Sequence, residues 1–378
     1  NTGIIELSGD KSTGIYKTGA VNTILNNGTV KTGDSSDLNN PSIGIYSSTA
    51  EDTITNTGTV EAGKNSMGIY TEEAIITQDG TFELQENSIG IYTKSGTVNL
   101  GNSSNISVST NNSVGVYATN GTNVTNNSVN TIEIGNKGYG FVLETGSSLD
   151  NYGSLSMHGN SAGIYSDGVN TVNNHRGADI NMLGDNNIGM FMVSGGIINN
   201  AADIIGTTGK SNIGIYSKSG SLINTGNISV GNSVLVYQEN GTVDYDNSGY
   251  AVGIYGDNSV LENSGNINIG ENGIGIYTRD NTIAAVNKGK ITGNGTGATG
   301  AFADNGTVIN DTSGIITMTG DGTIGMLANK NGTIINKGQI IMSGNNATAM
   351  YANMNSYAEN TGTIDMSGAT GNSSTASV

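Results

Sequence analysis

The chain of 378 residues lacks cysteine and tryptophan altogether, and Pro41 is its only proline. Without cysteine, a disulfide framework and zinc sites built on thiolates are excluded. Glycine is abundant at 59 residues, yet the near absence of proline excludes collagen and argues against a Pro/Gly-rich disordered chain. No run of 18 apolar residues is present, so direct membrane insertion of this segment is not expected.

Positive charge is also scarce. The chain has 14 Lys plus Arg against 31 Asp plus Glu, a net charge of −17, and Arg176 and Arg279 are its two arginines. Nucleic-acid binding requires clustered cations facing phosphates, so we expect no nucleic-acid partner. The same acidity would repel an anionic membrane surface.

A five-residue motif recurs through the whole sequence. It reads Ser66-Met67-Gly68-Ile69-Tyr70 and returns as Ser88-Ile89-Gly90-Ile91-Tyr92, with a mean step of about 24 residues. A fixed period of this length is typical of solenoids, propellers and other repeat arrays. The third motif position falls fifteen times, at residues 14, 44, 68, 90, 115, 140, 163, 189, 214, 235, 253, 275, 300, 325 and 349.

Each period contains two further short apolar runs besides the motif. After Gly44, for example, they are residues 53–55 and 58–61, both rich in β-branched residues and bounded by turn formers. Three short strands and three turns in about 24 residues predict one coil of a single-stranded parallel β-helix. We therefore predict an all-β solenoid of about 15 coils, forming one repeat domain over residues 1–378. A propeller blade would need a longer period, and a leucine-rich repeat would need regular leucine.

The turn before the middle run carries the pattern Asn-x-Gly. Glycine supplies a positive φ without steric cost, and asparagine tolerates the left-handed conformation. Because these turns lie at one level on successive coils, their amides are expected to hydrogen-bond to one another as a ladder. We predict turn chemistry here and no ligand. The asparagines of this pattern are Asn1, Asn56, Asn151, Asn224, Asn263, Asn287, Asn336 and Asn360.

Within the motif, the residues before and after the glycine are mostly apolar. Strand alternation predicts that these two face the core, while glycine and tyrosine share the outer face. Eleven of the sixteen tyrosines occupy the last motif position, where Val142, Phe191, Phe302 and Leu327 replace tyrosine in other coils. Because apolar residues can replace tyrosine there, the ring is expected to pack against its neighbours and its hydroxyl is not required. We therefore expect an aromatic ladder lying over the glycines, rather than a ligand platform.

The longest step between motifs, 30 residues, contains a loop insertion near residues 31–41. Insertions in a solenoid map to loops and often carry function. Asp34, Asp37 and Asn39 make this segment a candidate acidic loop for a cation or a partner. The alternative is a surface loop without a role.

The shortest step, 18 residues from Leu235 to Gly253, lacks its middle run and predicts an irregular coil near residues 235–253. It contains Tyr237, Tyr245 and Tyr250. We predict that this flaw could form a notch with exposed aromatic rings, suited to a sugar. Decay of the repeat without function is the alternative.

No catalytic constellation is apparent in the sequence. Polysaccharide-cleaving β-helices need carboxylate or basic side chains converging on neighbouring coils, whereas the acidic residues here are scattered, as at Glu72, Glu73 and Asp167. The two histidines, His158 and His175, occupy different offsets in their coils. The calcium-binding nonapeptide repeat is absent. We therefore predict no catalytic residues, no metal and no cofactor.

The repeat consensus resembles the passenger domains of very large fusobacterial-type monomeric autotransporter adhesins. The resemblance rests on Asn-Thr-Gly-Thr-Val (56–60) followed by Asn-Ser-Met-Gly-Ile-Tyr (65–70), and on Asn-Thr-Gly-Thr-Ile-Asp-Met-Ser-Gly (360–368). It implies a right-handed β-helical stalk, exported through the outer membrane and displayed on the bacterial cell surface. It further implies attachment to host cells or other bacteria through a glycan or protein receptor. Because the chain begins and ends within the pattern, we expect a fragment of a longer passenger.

Two other function classes stay open at this point. A polysaccharide-degrading β-helix enzyme would show acidic or basic groups converging in a groove. A phage tailspike shaft would be a trimer in solution, whereas an adhesin passenger is expected to be a monomer.

Overall fold

The computed structural model describes residues 1–370, apart from the side chains of Tyr245 and Asp246. This part of the chain contains 45 β-strands and no helix. It divides into two compact units, Asn1–Asn181 and Met182–Val378. The all-β fold class predicted from the repeat is confirmed, and each unit is a parallel β-solenoid. A single repeat domain over residues 1–378 stays a prediction.

The first unit contains strands of three to six residues that follow one another in a fixed order of three. They are β1 (Ile4–Glu6), β2 (Thr13–Lys17), β3 (Thr23–Asn26), β4 (Thr29–Lys31), β5 (Ile43–Ser47), β6 (Asp52–Asn56), β7 (Thr59–Ala62), β8 (Met67–Thr71), β9 (Ala74–Gln78), β10 (Thr81–Leu84), β11 (Ile89–Thr93), β12 (Gly96–Leu100), β13 (Asn105–Val108), β14 (Val114–Ala118), β15 (Asn123–Asn126), β16 (Ile132–Ile134), β17 (Tyr139–Glu144), β18 (Ser148–Asn151), β19 (Leu155–Met157), β20 (Ala162–Asp167) and β21 (Thr171–Asn174).

Strand β22 (Ile180–Met182) spans the boundary between the units. The second unit then contains β23 (Ile188–Ser194), β24 (Ile197–Asn200), β25 (Ile204–Gly206), β26 (Ile213–Lys218), β27 (Ser221–Asn224), β28 (Ile228–Val230), β29 (Val234–Tyr237), β30 (Val243–Gly249), β31 (Val252–Asp257), β32 (Val260–Asn263), β33 (Asn266–Ile269), β34 (Ile274–Arg279), β35 (Ala285–Asn287), β36 (Lys290–Gly293), β37 (Thr299–Asp304), β38 (Thr307–Asn310), β39 (Ile315–Met318), β40 (Ile324–Asn329), β41 (Thr333–Asn336), β42 (Gln339–Met342), β43 (Thr348–Ala352), β44 (Tyr357–Asn360) and β45 (Thr363–Asp365).

Every third strand pairs in parallel with the equivalent strand of the next turn, which gives three sheets in each unit. We call them the motif sheet, the asparagine sheet and the third sheet. In the first unit they begin with β2, β3 and β1 respectively, and each contains seven strands of that unit. In the second unit the motif sheet begins at β23 and the asparagine sheet at β24, again with seven strands each. Parallel pairing with short crossovers is expected to be right-handed.

The core consists of one inward position repeated on successive strands. Val30, Val60 and Phe82 on the third sheet are fully buried, as are Ile45 and Ile69 on the motif sheet. Valine and isoleucine suit these positions because their β-branched side chains pack well on a pleated surface. Each turn therefore buries a few side chains against the next turn, and the core is thin but continuous within each unit.

The prediction about the two faces of the motif was wrong. In most turns the residue before the glycine, such as Met67, faces outward with tyrosine, whereas Gly68 and Ile69 both face the core. In β20, β31, β34 and β37 the residue before the glycine is buried as well. A Cβ on Gly68 would lie 2.3 Å from Phe82 Cε1 and 2.7 Å from the carbonyl oxygen of Gly90. Two consecutive inward residues break strict strand alternation, as a bulge does. The motif therefore requires glycine for close packing inside, and the rings do not lie over the glycines.

The predicted amide ladder is confirmed. In the asparagine sheet each buried amide donates from Nδ2 to the side-chain oxygen of the next turn, over 2.7–2.9 Å. Leu100 interrupts the series, and Gln78 Nε2, which precedes it, is buried without a partner. The ladder connects Asn1, Asn26, Asn56 and Gln78, then Asn126, Asn151 and Asn174 in the first unit, and Asn200, Asn224, Asn263, Asn287, Asn310, Asn336 and Asn360 in the second.

The motif sheet contains fourteen strands rather than the fifteen coils expected from the motif count. The difference arises at Leu235, where β29 leaves the solenoid and pairs antiparallel with β30. Strand β26 pairs directly with β31, so Ile215 is in register with Ile254. The segment predicted as an irregular coil near residues 235–253 is therefore an inserted hairpin followed by a regular motif strand.

Candidate functional site

The hairpin of β29 and β30 is the largest departure from the repeat in the second unit. Its tip is closed by a backbone hydrogen bond from Gln238 N to Thr242 O (2.8 Å), and Gly241 takes a positive φ of 80°. Glycine is required there because a side chain would strain this conformation. Asn240 Oδ1 accepts from Thr242 N at 2.9 Å, which stabilises the same turn. Local turn chemistry therefore explains why the chain folds back here.

The hairpin exposes an unusual amount of apolar surface. Val234, Val236 and Tyr237 are 42%, 38% and 61% exposed, and Leu235 is half-buried. Because large apolar side chains are normally covered, a group of them on one strand indicates a contact surface. Tyr250 follows β30 and is half-buried. Tyr245 is in β30, but its side chain lies outside the described residues.

A cavity of about 280 Å³ lies at the base of the hairpin. It is lined by Val234 and Gly249 from the hairpin and by Asp185, Lys210 and Ser211 from the preceding turns. Ser211 Oγ donates to Gly249 O at 2.9 Å, and Asp185 Oδ1 accepts from Lys210 N at 2.7 Å. A cavity therefore lies beside the flaw, lined mainly by polar groups. A notch formed by Tyr237, Tyr245 and Tyr250 stays a prediction.

The acidic side chains of the loop near residues 31–41 satisfy backbone groups. Asp34 Oδ1 accepts from Lys64 N at 2.8 Å, and Asp37 Oδ1 accepts from Asn39 N at 2.7 Å. Asp10 Oδ1 similarly accepts from Ser36 N at 2.7 Å, and the Ser36 side chain together with this backbone bond lowers the pKa of Asp10. These contacts account for the carboxylates as turn-stabilising groups. A role for Asp34, Asp37 and Asn39 in binding stays a prediction.

The motif tyrosines form stacks of parallel rings. In the first unit Tyr16, Tyr46, Tyr70, Tyr92 and Tyr117 stack with centroids 4.9–5.4 Å apart. In the second unit Phe191, Tyr216, Tyr255 and Tyr277 stack at 4.4–4.9 Å, and Phe302 follows at 5.0 Å. Within each stack, neighbouring rings cover the ring faces that a sugar would contact, whereas Tyr16 at the end of the first stack is 65% exposed. The ladder is therefore a packing element, as expected.

A row of charged residues, which the sequence analysis missed, lies beside the stacked rings. These residues stand two positions after the motif tyrosine. Lys94 Nζ is 2.8 Å from a carboxylate oxygen of Glu72, and Glu72 accepts a hydrogen bond from the Tyr70 hydroxyl at 2.9 Å. The bond from Lys94 lowers the pKa of Glu72. In the second unit Asp257, Arg279 and Asp304 alternate in sign on neighbouring strands. Comparing one offset across successive repeats would have revealed this row.

Burial in the stack raises the pKa of several of its tyrosines. Burial raises the pKa of Tyr216 to about 12, with the Tyr255 hydroxyl and Asp257 adding to the effect. Burial likewise raises the pKa of Tyr117 and Tyr277, the latter also because the Asp304 carboxylate lies beside it. The hydroxyls are therefore neutral donors near neutral pH, which suits hydrogen bonding to the charged row.

The described residues offer little for catalysis by metal or acid–base pairs. Within residues 1–370, no three His, Asp or Glu side chains form a group suited to a metal ion. Each histidine is paired with one carboxylate: His175 Nε2 lies 3.0 Å from Asp150 Oδ1, and His158 Nε2 lies 3.9 Å from Glu133. No helix in the part of the chain that the structure describes has the length and hydrophobicity to span a bilayer.

The comparisons with known proteins point to one family. Residues 88–304 and 293–371 match the family described as the BigA third pectate lyase-like domain, and these segments cover most of the chain. No curated protein matches the chain. The family match supports a β-helix domain of the passenger type in a surface protein.

Proposed function

This chain belongs to the family of the BigA third pectate lyase-like domain, and we propose that it is a segment of a surface-displayed adhesin. In this proposal the β-helix is part of a fusobacterial-type autotransporter passenger, exported through the outer membrane of a bacterium. It attaches the cell to host cells or to other bacteria through a glycan or protein receptor, and it acts as a monomer without enzymatic activity. The repeat consensus and the family match support this assignment.

The exposed hairpin is the observation that carries the proposal. On the regular strands exposed apolar side chains such as Ile75 and Ile197 stand singly, whereas β29 presents Val234, Val236 and Tyr237 to solvent within four residues. Exposed aromatic side chains such as tyrosine often dominate binding at interfaces because they bury much area at little entropic cost. We assign the receptor contact to this strand and to the cavity at its base.

Tyr237→Ala tests the assignment. We expect attachment of the purified chain to host and bacterial cells to fall by about tenfold, the scale of one interface anchor. Tyr357→Ala is the matched control, since Tyr357 is 54% exposed and lies on β44, away from the hairpin in sequence. Binding would be measured by flow cytometry with fluorescent protein. If both variants and the unmodified chain attach equally, the hairpin is not the receptor contact. If the unmodified chain does not attach to any cell, adhesion by this segment is refuted.

The word lyase in the family description keeps an enzyme function as the second candidate. Activity on pectic polysaccharide would appear as unsaturated product absorbing in the ultraviolet. Because no three His, Asp or Glu side chains among the described residues form a group suited to a metal ion, we expect no such product.

A further inference from the structure

One outward surface of the first unit differs chemically from the rest of this acidic chain. It is the outer face of the asparagine sheet. Residues along each strand of this sheet alternate between outward and buried positions, and two residues of each strand point outward. The strands are β3, β6, β9, β12, β15, β18 and β21. We call this outer face the polar face. Its fourteen outward residues are Thr23, Leu25, Thr53, Thr55, Ile75, Thr77, Thr97, Asn99, Asn123, Thr125, Ser148, Asp150, Thr171 and Asn173.

The polar face forms two straight rows because the strands are in exact register from turn to turn. Thr55 lies opposite Thr77, Thr77 opposite Asn99, and Asn99 opposite Thr125. Neighbouring parallel strands are about 4.8 Å apart, so hydroxyl and amide groups repeat at that spacing. Leu25, Ile75 and Asp150 interrupt the two rows. Threonine is stiff about χ1, and little side-chain entropy is lost when such a row binds a ligand.

The scarcity of charge on this face narrows the choice of partner. Asp150 is its one charged residue, and His175 Nε2 and Asn173 Nδ2 already contact that carboxylate at 3.0 and 2.9 Å. The third sheet of the same unit, by contrast, has Glu6, Lys31 and Glu61 in register in one outward row. None of the fourteen outward residues is a cation that pairs with a sulfate or carboxylate. Hydroxyl and amide groups both donate and accept, as the hydroxyls of a neutral sugar do.

A stacked pair of aromatic rings lies at the edge of the polar face. Tyr152 follows β18 and stacks on the His175 ring with centroids 4.0 Å apart and an interplanar angle of 5°. His175 is held in turn by Asp150, so the position of the tyrosine ring is fixed by two residues. Half of the Tyr152 surface is nevertheless exposed. A rigid, half-exposed ring beside rows of short polar groups is suited to contact both the apolar and the hydroxyl sides of a sugar.

We propose that the polar face of the first unit, together with Tyr152, binds a neutral, uncharged glycan chain. The site is separate in sequence from the hairpin. This proposal names a ligand class for the proposed adhesin, and it rests on the adhesin function.

A glycan array tests the proposal with the whole chain. The array would contain neutral hexose oligosaccharides beside sialylated and sulfated versions of the same sugars. The test variant is Thr55→Glu combined with Thr77→Glu, which places two carboxylates opposite each other on the polar face. The matched control is Thr292→Glu combined with Thr317→Glu, since these threonines also lie opposite each other and are half-buried, but on the third sheet of the second unit. Tyr152→Ala is the third variant, and circular dichroism checks the fold of each.

We expect the unmodified chain and the control to bind neutral oligosaccharides equally. Thr55→Glu with Thr77→Glu, and separately Tyr152→Ala, should weaken binding by about tenfold, or about 1.4 kcal/mol. Failure of the unmodified chain to bind any neutral oligosaccharide would overturn the proposal, as would a preference for charged sugars or equal binding by all variants. Cell attachment is measured in parallel. Attachment without neutral-glycan binding rejects the polar face alone, whereas loss of both rejects the adhesin function as well.

Discussion

The buried amide ladder allows the contribution of one rung to be worked out, and Asn263 in the second unit is the clearest position. Its side chain is fully buried. Oδ1 accepts from Asn224 Nδ2 at 2.8 Å, and Nδ2 donates to Asn287 Oδ1 at 2.8 Å and to Gly265 O at 3.1 Å. Gly265 O also accepts from Lys290 N at 3.1 Å, so it would keep a partner if Asn263 were shortened.

Asn263→Ala therefore leaves two buried groups without their ladder partner, a hydrogen of Asn224 Nδ2 and the oxygen Asn287 Oδ1. A buried group deprived of its hydrogen bond costs about 1–3 kcal/mol. The substitution should thus lower the free energy of unfolding by about 4 kcal/mol, and a small cavity adds to this. Asn266→Ala removes the same side chain at an exposed position, where it donates to Asn227 Oδ1 at 2.8 Å. Its expected cost is below about 0.5 kcal/mol.

Urea unfolding followed by circular dichroism measures both variants against the unmodified chain. Because repeat arrays can open locally, hydrogen exchange of peptides around residues 255–290 should be measured as well. Loss of protection is expected there in Asn263→Ala and not in Asn266→Ala. A cost for Asn263→Ala below about 1 kcal/mol would refute the reasoning, because the ladder would then contribute little more than exposed hydrogen bonds.

Three further predictions concern packing, acid stability and assembly. Gly300→Ala should lower the melting temperature clearly, since its Cβ would lie 2.6 Å from both the Gly325 carbonyl oxygen and Ile316 Cγ2. Gly3→Ala is the control and should leave the melting temperature unchanged, because the atom nearest to its Cβ would be Asn1 Oδ1 at 3.9 Å. Burial of Asp52 would raise its pKa, but hydrogen bonds from Ser47 and the Asn22 backbone, with Lys17 nearby, outweigh burial and lower it. The stability that Asp52 contributes is therefore present above about pH 4 and is lost as pH falls through its folded-state pKa. Asp52→Asn should consequently make the free energy of unfolding less dependent on pH in the acid range. An unchanged dependence on pH would contradict this. Light scattering should give the mass of a monomer, whereas a trimer would favour the tailspike alternative.

The pairing of charged residues on neighbouring turns was not predicted from the sequence. Glu72 has no basic neighbour in the chain, yet Lys94, one turn later, pairs with it at 2.8 Å. The repeat period was sufficient to place these residues side by side. Along the sequence the acidic residues are scattered, but Glu72 and Lys94 each stand two residues after a motif tyrosine, and this common offset makes them neighbours.

The repeat by itself determined the fold class, the three strands of each turn, the amide ladder and the aromatic stack. Each of these depends on a local pattern that recurs, and in a solenoid the period places like residues next to one another. The tertiary structure decided the rest. Only the packed core shows that Gly68 faces inward, as the glycines of β5, β11 and β14 also do, because a Cβ there would meet core side chains and the backbone of the next turn. Only pairing across turns shows that β29 leaves the motif sheet, since Val234-Leu235-Val236-Tyr237 has the apolar pattern of a motif strand but finds its partner in β30.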